Sequence, residues 1–484
     1  MGKPSVHPMG TIIYKPEKCF NGYTIFQANE HGATLIDMNG GVVNHWQGLK
    51  GFPNKLLKGG YVFGSRGERN KENGWQDQKD LIEVDWDGNI VWEFKKNQFI
   101  EDPGYEGEWM ARQHHDYQRE GNPVGYYVPD MECQTLSGNT LMVTHTDVVV
   151  PEISLHTLIS DRIIEVDWEG NIVWDWCVHD HFEELGFDEA AKNAIARNPN
   201  IVRNGQGDWM HINSMSVLGP NKWYDAGDER FHPDNIIWDA RETNILAIIS
   251  KETGKIVWKI GPDFTASREL RKIGQIIGQH HAHMIPRGLP GEGNILVFDN
   301  GGWAGYGAPC RTSKDGTKVD KRDYSRVIEI DPVTLKVVWE FTGSVWGGMI
   351  PSIGNTKFYS QLISSAQRLP NGNTMITEGS DCRMFEVTPD KEVVWEYYAP
   401  FNTYDGYVYR AYRCPYEYVP QLEKPEEVPV ERVDNKYFRM PGAAEGMIQN
   451  EVSVAGTWGY EGKMDACVTE DALDGDEEGS QPAF

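Results

Sequence analysis

The chain has 484 residues, of which 39% are hydrophobic and 24% are charged, and its formal net charge is −26. This composition is typical of a folded globular protein that is larger than one ordinary compact domain. The negative charge argues against non-specific binding to DNA or RNA, and no apolar run is long enough for a membrane-spanning helix.

The N-terminus contains no apolar segment of the kind found in secretory signal peptides. The sequence therefore predicts a cytoplasmic protein, or a periplasmic one if a leader has been removed, and it leaves the compartment open.

A sequence motif that ends in tryptophan recurs six times along the chain. Each copy reads as an apolar strand, a tight polar turn and a second strand, and the copies span 34–46, 81–92, 163–174, 248–258, 327–339 and 384–395. A single hairpin cannot bury its apolar face, so the copies must pack on one another. Companion segments that begin with Gly or Asn raise the content to about four strands per unit, as in a propeller blade. The repeat predicts an all-β, six-bladed β-propeller.

The spacing of the repeats predicts insertions. The final tryptophans of the copies lie 46, 82, 84, 81 and 56 positions apart, whereas a blade needs about 40–50 residues. We expect the extra residues to form loops on one face of the propeller. Residues 98–130 indicate an ordered loop, and residues 182–197 indicate a short helix whose N-cap lies near Asp188.

Two regions are expected from these patterns. Residues 1–414 should form the propeller, which would also be the catalytic domain. Residues 415–484 carry 16 acidic and 5 basic residues without strand periodicity. We expect them to form an extended acidic segment that wraps along the propeller, is partly disordered, and tolerates truncation beyond about residue 470.

Histidine is concentrated in the middle of the chain, where eleven of the 14 histidines lie between residues 114 and 283. Strand propensity does not explain this concentration, and histidine can act as a base, a nucleophile or a metal ligand near neutral pH. Because the innermost strands of a propeller line its axis, distant histidines can converge there. The doublets His114/His115 and His280/His281 are the strongest candidates, since each directly precedes a turn or strand of a blade.

The remaining histidines are weaker candidates. We leave open whether His179 and His181 are structural, because they lead into the helical insertion. The others are expected to be ordinary surface, loop or structural residues: His7, His31, His45, His145, His156 and His232.

Several motifs point together to one family. They are H-H-D at 114–116, D-W-M-H-I-N-S at 208–214, W-D-A-R at 238–241, Q-H-H-A at 279–282 and V-F-D-N-G at 297–301. In this order they resemble the bacterial arylsulfate sulfotransferases, six-bladed propellers that move a sulfuryl group between phenols without a nucleotide donor. The resemblance covers about residues 8–400. The chain departs from the family pattern after the D-N-G motif and in a longer loop at 219–230.

The resemblance implies the transfer of a sulfuryl group from an aryl sulfate to a phenol, with His280 as the nucleophile that forms a sulfohistidine intermediate. Arg241, His211 and Asn213 would stabilise the charge of the transferred group, and the last two, two positions apart on a strand, share a face. Either His114 or His115 would move the phenolic proton. Substrate binding would also involve Asp116, His281, His283, Asn300 and Tyr324.

The implied reaction needs no cofactor and no metal ligand set. The expected partners are a small aryl sulfate and a phenol, without nucleic acid or membrane, and a homodimer is compatible with the sequence.

Two other classes of function remain. The runs H-H-A-H and H-H-D could bind copper, iron or zinc, which would make the chain an oxidoreductase, hydrolase or lyase acting on a small aromatic or organic substrate. A propeller that only binds partners is the other class, although such a platform needs no titrating groups at its centre. The metal content of the purified protein separates the first class from sulfuryl transfer.

Overall fold

The computed structural model of the protein describes residues 9–28, 32–70, 72–131, 133–203, 205–343, 358–400 and 407–431. The first third of the chain contains β1 (Gly10–Tyr14), β2 (Tyr23–Ala28), β3 (Ala33–Ile36), β4 (Val42–Trp46), β5 (Lys55–Leu57), β6 (Tyr61–Gly64), β7 (Leu81–Val84), β8 (Ile90–Phe94), β9 (Gln98–Ile100), β10 (Glu108–Met110), β11 (Gln113–Arg119), β12 (Thr140–Val148) and β13 (Thr157–Val166).

The middle of the chain contains β14 (Ile172–Cys177), α1 (Phe182–Leu185), α2 (Glu189–Arg197), β15 (Ile201–Arg203), β16 (Gln206–Asp208), β17 (Ile212–Val217), α3 (Lys222–Asp225), β18 (Ile236–Ala240), β19 (Ile245–Ile249), β20 (Ile256–Ile260) and α4 (Arg268–Ile273). The last part contains β21 (His280–Met284), β22 (Ile295–Asp299), β23 (Ala304–Tyr306), β24 (Thr317–Asp320), β25 (Arg326–Asp331), β26 (Lys336–Thr342), β27 (Ser365–Arg368), β28 (Thr374–Glu378), β29 (Arg383–Val387), β30 (Val393–Tyr398) and β31 (Val408–Cys414).

These strands form a six-bladed β-propeller, as the repeat predicted. In inside-to-outside order, the blades are β31-β2-β3-β4, β5-β6-β7-β8, β11-β12-β13-β14, β17-β18-β19-β20, β21-β22-β25-β26 and β27-β28-β29-β30. All strands within a blade pair antiparallel, and inner strands of adjacent blades contact one another. The inner strands therefore surround one axis, where their side chains can meet.

Strands from both ends of the described chain complete the ring of blades. The late strand β31 is the inner strand of the blade that contains the early strands β2, β3 and β4. In addition, β1 pairs with β30 as a fifth, outer strand of the last blade. Hydrogen bonds between the two ends thus join the first and last blades of the propeller.

The repeated tryptophans join each blade to the next. In every copy the indole N–H donates to a main-chain carbonyl in the outer turn of the following blade. The donor–acceptor pairs are Trp46–Asp85 (3.2 Å), Trp92–Trp168 (2.9 Å), Trp174–Lys251 (3.0 Å), Trp258–Pro332 (2.8 Å), Trp339–Pro389 (2.9 Å) and Trp395–Met38 (2.8 Å). The last pair returns to the first blade, so these bonds form a closed ring of six.

The insertions agree in part with expectation. The Asp188 carboxylate accepts a hydrogen bond from the Ala191 N–H (2.7 Å) and caps α2, the predicted helix. Residues 98–130, in contrast, are not only a loop, because they contain β9, β10 and the inner strand β11. Every residue of β11 is buried although most are polar, which explains why the apolar alternation of an ordinary strand is missing there.

The beginning of the acidic segment follows the propeller. Residues Tyr14 and Val430 exchange two main-chain hydrogen bonds of 2.8 and 3.0 Å, and the Asn39 side chain binds the Val428 carbonyl (2.7 Å). Residues 432–484, and with them the expected disorder and dispensable end, lie outside the described residues. Within the described part of the chain, no helix is long and apolar enough to cross a membrane.

Candidate active site

The candidate residues come from inner strands or from the turns beside them. His114 to Asp116 lie on β11, Asn213 on β17, and His280 to His283 on β21, whereas His211 directly precedes β17. Arg241 follows β18 and Asn300 follows β22. All of these side chains are buried except Arg241, which is half-buried. Tyr324, also half-buried, lies before β25.

Irregular backbone sets the direction of three of the histidines. His115, His211 and His281 have positive φ angles of 57°, 58° and 57°, a conformation that is uncommon for residues other than glycine. The pairing register shifts across His115 and across His281, as in a β-bulge. Bulges redirect side chains and recur beside functional sites, so neighbouring histidines here do not follow simple strand alternation.

His280 is held in a defined tautomer. Its Nδ1 lies 2.8 Å from Oδ1 of Asn300, whose side-chain NH₂ donates to the carbonyls of Ser360 and Ile363, both at 2.8 Å. Because the amide nitrogen is committed to two carbonyls, Oδ1 must accept, and the His280 proton lies on Nδ1. The Nε2 lone pair then accepts the main-chain N–H of Ile363 at 3.1 Å.

His280 is also neutral. Burial, together with the nearby charge of Arg241, holds the pKa of His280 well below its usual range. A neutral imidazole with its proton on Nδ1 presents a basic Nε2, which can act as a nucleophile once the Ile363 N–H moves away.

A second group of rings lies beside His280. The rings of His115 and His211 are 4.6 Å apart between centroids, and His211 Nδ1 makes a short hydrogen bond to the carboxylate of Asp208. The Trp75 indole N–H donates to the same carboxylate (2.8 Å). Burial and the charge of His211 lower the pKa of His115, and His280 interacts with both rings.

Arg241 contributes a cation to this group. Its main-chain N–H donates to the His211 carbonyl (3.0 Å), which fixes the start of its side chain. The guanidinium forms an ion pair with Glu242, a residue that the sequence did not single out. The five residues that were expected to converge, His114, His115, His211, Arg241 and His280, are therefore linked by contacts or by charge.

Two of the predicted residues make contacts that position the inner strands. The Asn213 side chain donates to the Gln279 carbonyl (2.8 Å) and so joins β17 to β21. Asp116 accepts from Lys55 (2.6 Å) and from Arg410 (2.8 Å), and all three side chains are at least nine-tenths buried. Substrate binding by Asp116 stays a prediction, and these contacts favour a structural role.

Three other predicted residues lie among different neighbours. The Tyr126 hydroxyl is 3.0 Å from His283 Nε2, and the His281 ring packs near Tyr412 at 5.8 Å. Tyr324 lies under the Arg322 guanidinium, 4.7 Å from ring centroid to Cζ. These three side chains therefore have neighbours other than the His115–His211 pair. Their part in substrate binding stays a prediction.

His145, which was expected to be a structural or loop residue, lies against His114. Its ring stacks on the His114 ring with centroids 3.6 Å apart. Its Nδ1 is 2.6 Å from the Asp77 carboxylate, which raises the pKa of His145 although burial opposes the charge. On its other side His114 meets His115, with 2.7 Å between their Nδ1 atoms. His114 therefore lies between His145 and His115.

Solved structures that resemble this chain share little of its sequence. A protein of unknown function from Bacteroides caccae is 12% identical over 81% of this chain and 98% of its own, with a TM-score of 0.41. A virginiamycin B lyase from Staphylococcus aureus is 11% identical over 83% of this chain and 87% of its own, with a TM-score of 0.33. No curated protein matches the chain.

The family comparison is more direct than these structural likenesses. The model of the family described as Arylsulfotransferase (ASST) matches residues 27–399, which is most of the chain and nearly the whole propeller. The matched range includes His114, His115, His211, Arg241 and His280. The chain belongs to the arylsulfotransferase family.

Proposed function

We propose that this protein transfers a sulfuryl group from an aryl sulfate to a phenolic acceptor through a sulfohistidine at His280. The observation that carries the proposal is the hydrogen bond from His280 Nδ1–H to Asn300 Oδ1 (2.8 Å). It leaves the lone pair on Nε2 of a buried, neutral imidazole, which is the form that can attack sulfur.

In the first half-reaction, the Nε2 lone pair forms the N–S bond while the S–O bond to the donor phenol breaks. The ring becomes cationic, and the Nδ1–H bond to Asn300 strengthens because it now donates from a charged group. The negative oxygens of the transferred group would be stabilised by Arg241 and by the His211 imidazole, whose orientation Asp208 fixes.

His115 is the residue that we assign to proton transfer. Its ring lies beside His211, whereas His114 lies against His145 on its other side. Burial keeps His115 neutral, so the donor phenol departs as the phenolate. In the second half-reaction neutral His115 would take the proton of the acceptor phenol, whose oxygen attacks sulfur as the N–S bond breaks, and would pass that proton to the released phenolate or to water.

Two aromatic rings beside His115 support an aromatic substrate. Phe52 and Tyr409 each lie 5.7 Å from the His115 ring, and they are 4.4 Å from each other, between centroids. Such rings bind an arene by stacking or edge-to-face contact.

The Ile363 N–H must leave Nε2 before attack. Ile363 has φ of 57°, which is a strained conformation for a β-branched residue, and the next residue, Ser364, has φ of 91°. We propose that this N–H shifts from Nε2 to an oxygen of the sulfuryl group, where it would donate to the developing charge.

The experiment is a two-part assay with para-nitrophenyl sulfate. Release of nitrophenolate should be stimulated by an added phenol, and the enzyme exposed to donor alone should gain one sulfuryl mass. A folded protein that releases no nitrophenolate from a panel of aryl sulfates, with or without phenols, would show that the proposed reaction is wrong.

A further inference from the structure

Behind the proposed reaction centre, three side chains bring potential metal ligands together. One ring nitrogen each of His114 and His145 and a carboxylate oxygen of Asp161 all lie within 4.8 Å of one another. The Nε2 atoms of His114 and His145 are 3.3 and 3.8 Å from Asp161 Oδ1. Ligands bound to one zinc-sized ion at about 2.0–2.2 Å lie roughly 3–4 Å apart, so the observed spacing suits a shared ion once the stacked rings of His114 and His145 turn towards it.

These ligand atoms lack other partners. Among the residues that the structure describes, neither Nε2 atom and neither Asp161 oxygen has a partner at full hydrogen-bond geometry, although the main chain of Thr144 and that of Ile212 lie close enough to shift the pKa values of His114 and Asp161. All three side chains are fully or almost fully buried, with exposed fractions of 1%, 1% and 0% for His114, His145 and Asp161. Buried polar atoms are rarely left unpaired, and four that lie so close together indicate a bound group that satisfies them.

The surrounding contacts orient the imidazoles as metal sites require. His145 Nδ1 is bonded to the Asp77 carboxylate (2.6 Å), which Arg112 holds in place (2.7 Å). A carboxylate on the far nitrogen of a histidine is the usual support of a metal-bound ring. His114 Nδ1 is likewise engaged by His115 (2.7 Å).

The ligands also lie on rigid elements. His114, His145 and Asp161 lie on the adjacent strands β11, β12 and β13, and His145 is directly paired with Asp161 in the sheet. Sites built on strands hold their geometry better than sites on loops. A third buried oxygen without a partner, Asp208 Oδ1, belongs to a carboxylate whose charge interacts with Asp161.

We propose that His114, His145 and Asp161 bind a divalent transition-metal ion, of the class of Zn²⁺ or Fe²⁺. Two imidazoles and one carboxylate suit these ions and are poorly suited to Ca²⁺ or Mg²⁺, which prefer oxygen ligands. The family resemblance implied no metal ligands, and the metalloenzyme alternative placed a metal on the runs H-H-A-H and H-H-D, which include His114 but neither His145 nor Asp161. The site lies beside the proposed reaction centre and does not depend on the proposed reaction.

The test uses the full chain after treatment with a chelator, followed by addition of Zn²⁺ and removal of the excess by gel filtration. We expect the wild type to retain about one zinc per chain by mass spectrometry of the metal. Asp161→Asn and His145→Gln should each retain less than about a tenth of that amount. A wild type that retains no zinc, or an Asp161→Asn variant that retains as much as the wild type, would overturn the proposal.

A second cluster supplies the matched control. Cys177, His179 and Asp180 also lie close enough to share an ion, but they are half-buried or exposed. Cys177→Ser should retain zinc as the wild type does. If either buried variant fails to fold, Co²⁺ absorption of the wild type decides between the sites. Bands without thiolate charge transfer support the buried site, whereas a thiolate band, or no band, contradicts it.

Discussion

His280 donates through Nδ1 to Oδ1 of Asn300 over 2.8 Å, and the Asn300 amide is fixed by two main-chain carbonyls. The tautomer of the proposed nucleophile is thereby decided by an amide that cannot rotate without losing both of its hydrogen bonds. The same arrangement would stabilise the positive ring that forms when Nε2 accepts the sulfuryl group. The first two predictions about activity depend on this relationship.

The first concerns His280 itself. His280→Ala removes the only atom proposed to hold the transferred group, so turnover of para-nitrophenyl sulfate should fall by about 10³-fold or more. Donor-treated wild type should gain one sulfuryl mass, and the variant should not. His156→Ala, at a half-buried histidine outside the site, should match the wild type. A His280→Ala enzyme with wild-type turnover would exclude the sulfohistidine.

The second concerns Asn300 as a positioning residue. Asn300→Leu keeps the size of the side chain but removes the acceptor for Nδ1–H, so kcat should fall by about 10–10²-fold while KM changes little. Asn300→Asp restores an acceptor and should recover part of the loss. An equal effect of both substitutions on kcat would indicate a packing role instead.

The third concerns the charge of the transferred group. Arg241→Ala and His211→Ala should each lower kcat/KM by about 10²–10³-fold, less than the loss of the nucleophile, because each removes one of several stabilising contacts. The sulfuryl adduct should still form slowly in both variants. Failure of either variant to form any adduct would assign that residue a larger part than charge stabilisation.

The fourth prediction concerns stability and pH. Burial and the charge of Arg410 lower the pKa of His283 from 6.5 to about 4. Between these two pH values the unfolded chain binds a proton at this ring and the folded chain does not. Stability from this residue is therefore complete above pH 6.5 and is lost as the pH falls towards 4, by an amount on the order of 3 kcal/mol.

His283→Gln tests this directly. Glutamine can still accept a hydrogen bond from Tyr126 but does not titrate, so unfolding free energy in urea should fall less between pH 6.5 and pH 4.5 than in the wild type. His156→Gln is the control and should keep the wild-type slope. Identical slopes for His283→Gln and the wild type would mean that the His283 ring is already protonated in the fold.

The sequence predicted the propeller because its repeat has a local physical cause. In each copy the final tryptophan donates a hydrogen bond to the following blade. The repeat of the blades is therefore visible as a repeat in the sequence. The histidine doublets were noticed because strand propensity does not explain so many imidazoles, and their role stays a prediction. His280 and Asn300, distant by 20 positions, were both recognised through family motifs.

The rest of the site depends on relationships that sequence spacing does not contain. Lys55 and Arg410 meet at Asp116 only because β31 closes the ring between the last and first blades. The direction of His115 depends on a positive φ within a bulge. His145 was undervalued because it stands alone in the sequence, and its stacking on His114 appears only when β11 and β12 pair.

The last prediction concerns the ring of tryptophan bonds. Trp395 is fully buried, and its indole N–H donates to the Met38 carbonyl (2.8 Å), which joins the last blade to the first. Trp395→Phe removes this donor, leaves the carbonyl without it and loses part of the packing. The unfolding free energy should therefore fall by about 2–4 kcal/mol.

Trp303, with an exposed fraction of 44%, supplies the control. Trp303→Phe should change the unfolding free energy by less than about 0.5 kcal/mol. Equal effects of the two substitutions in urea titrations would show that the indole bond contributes nothing to closing the propeller.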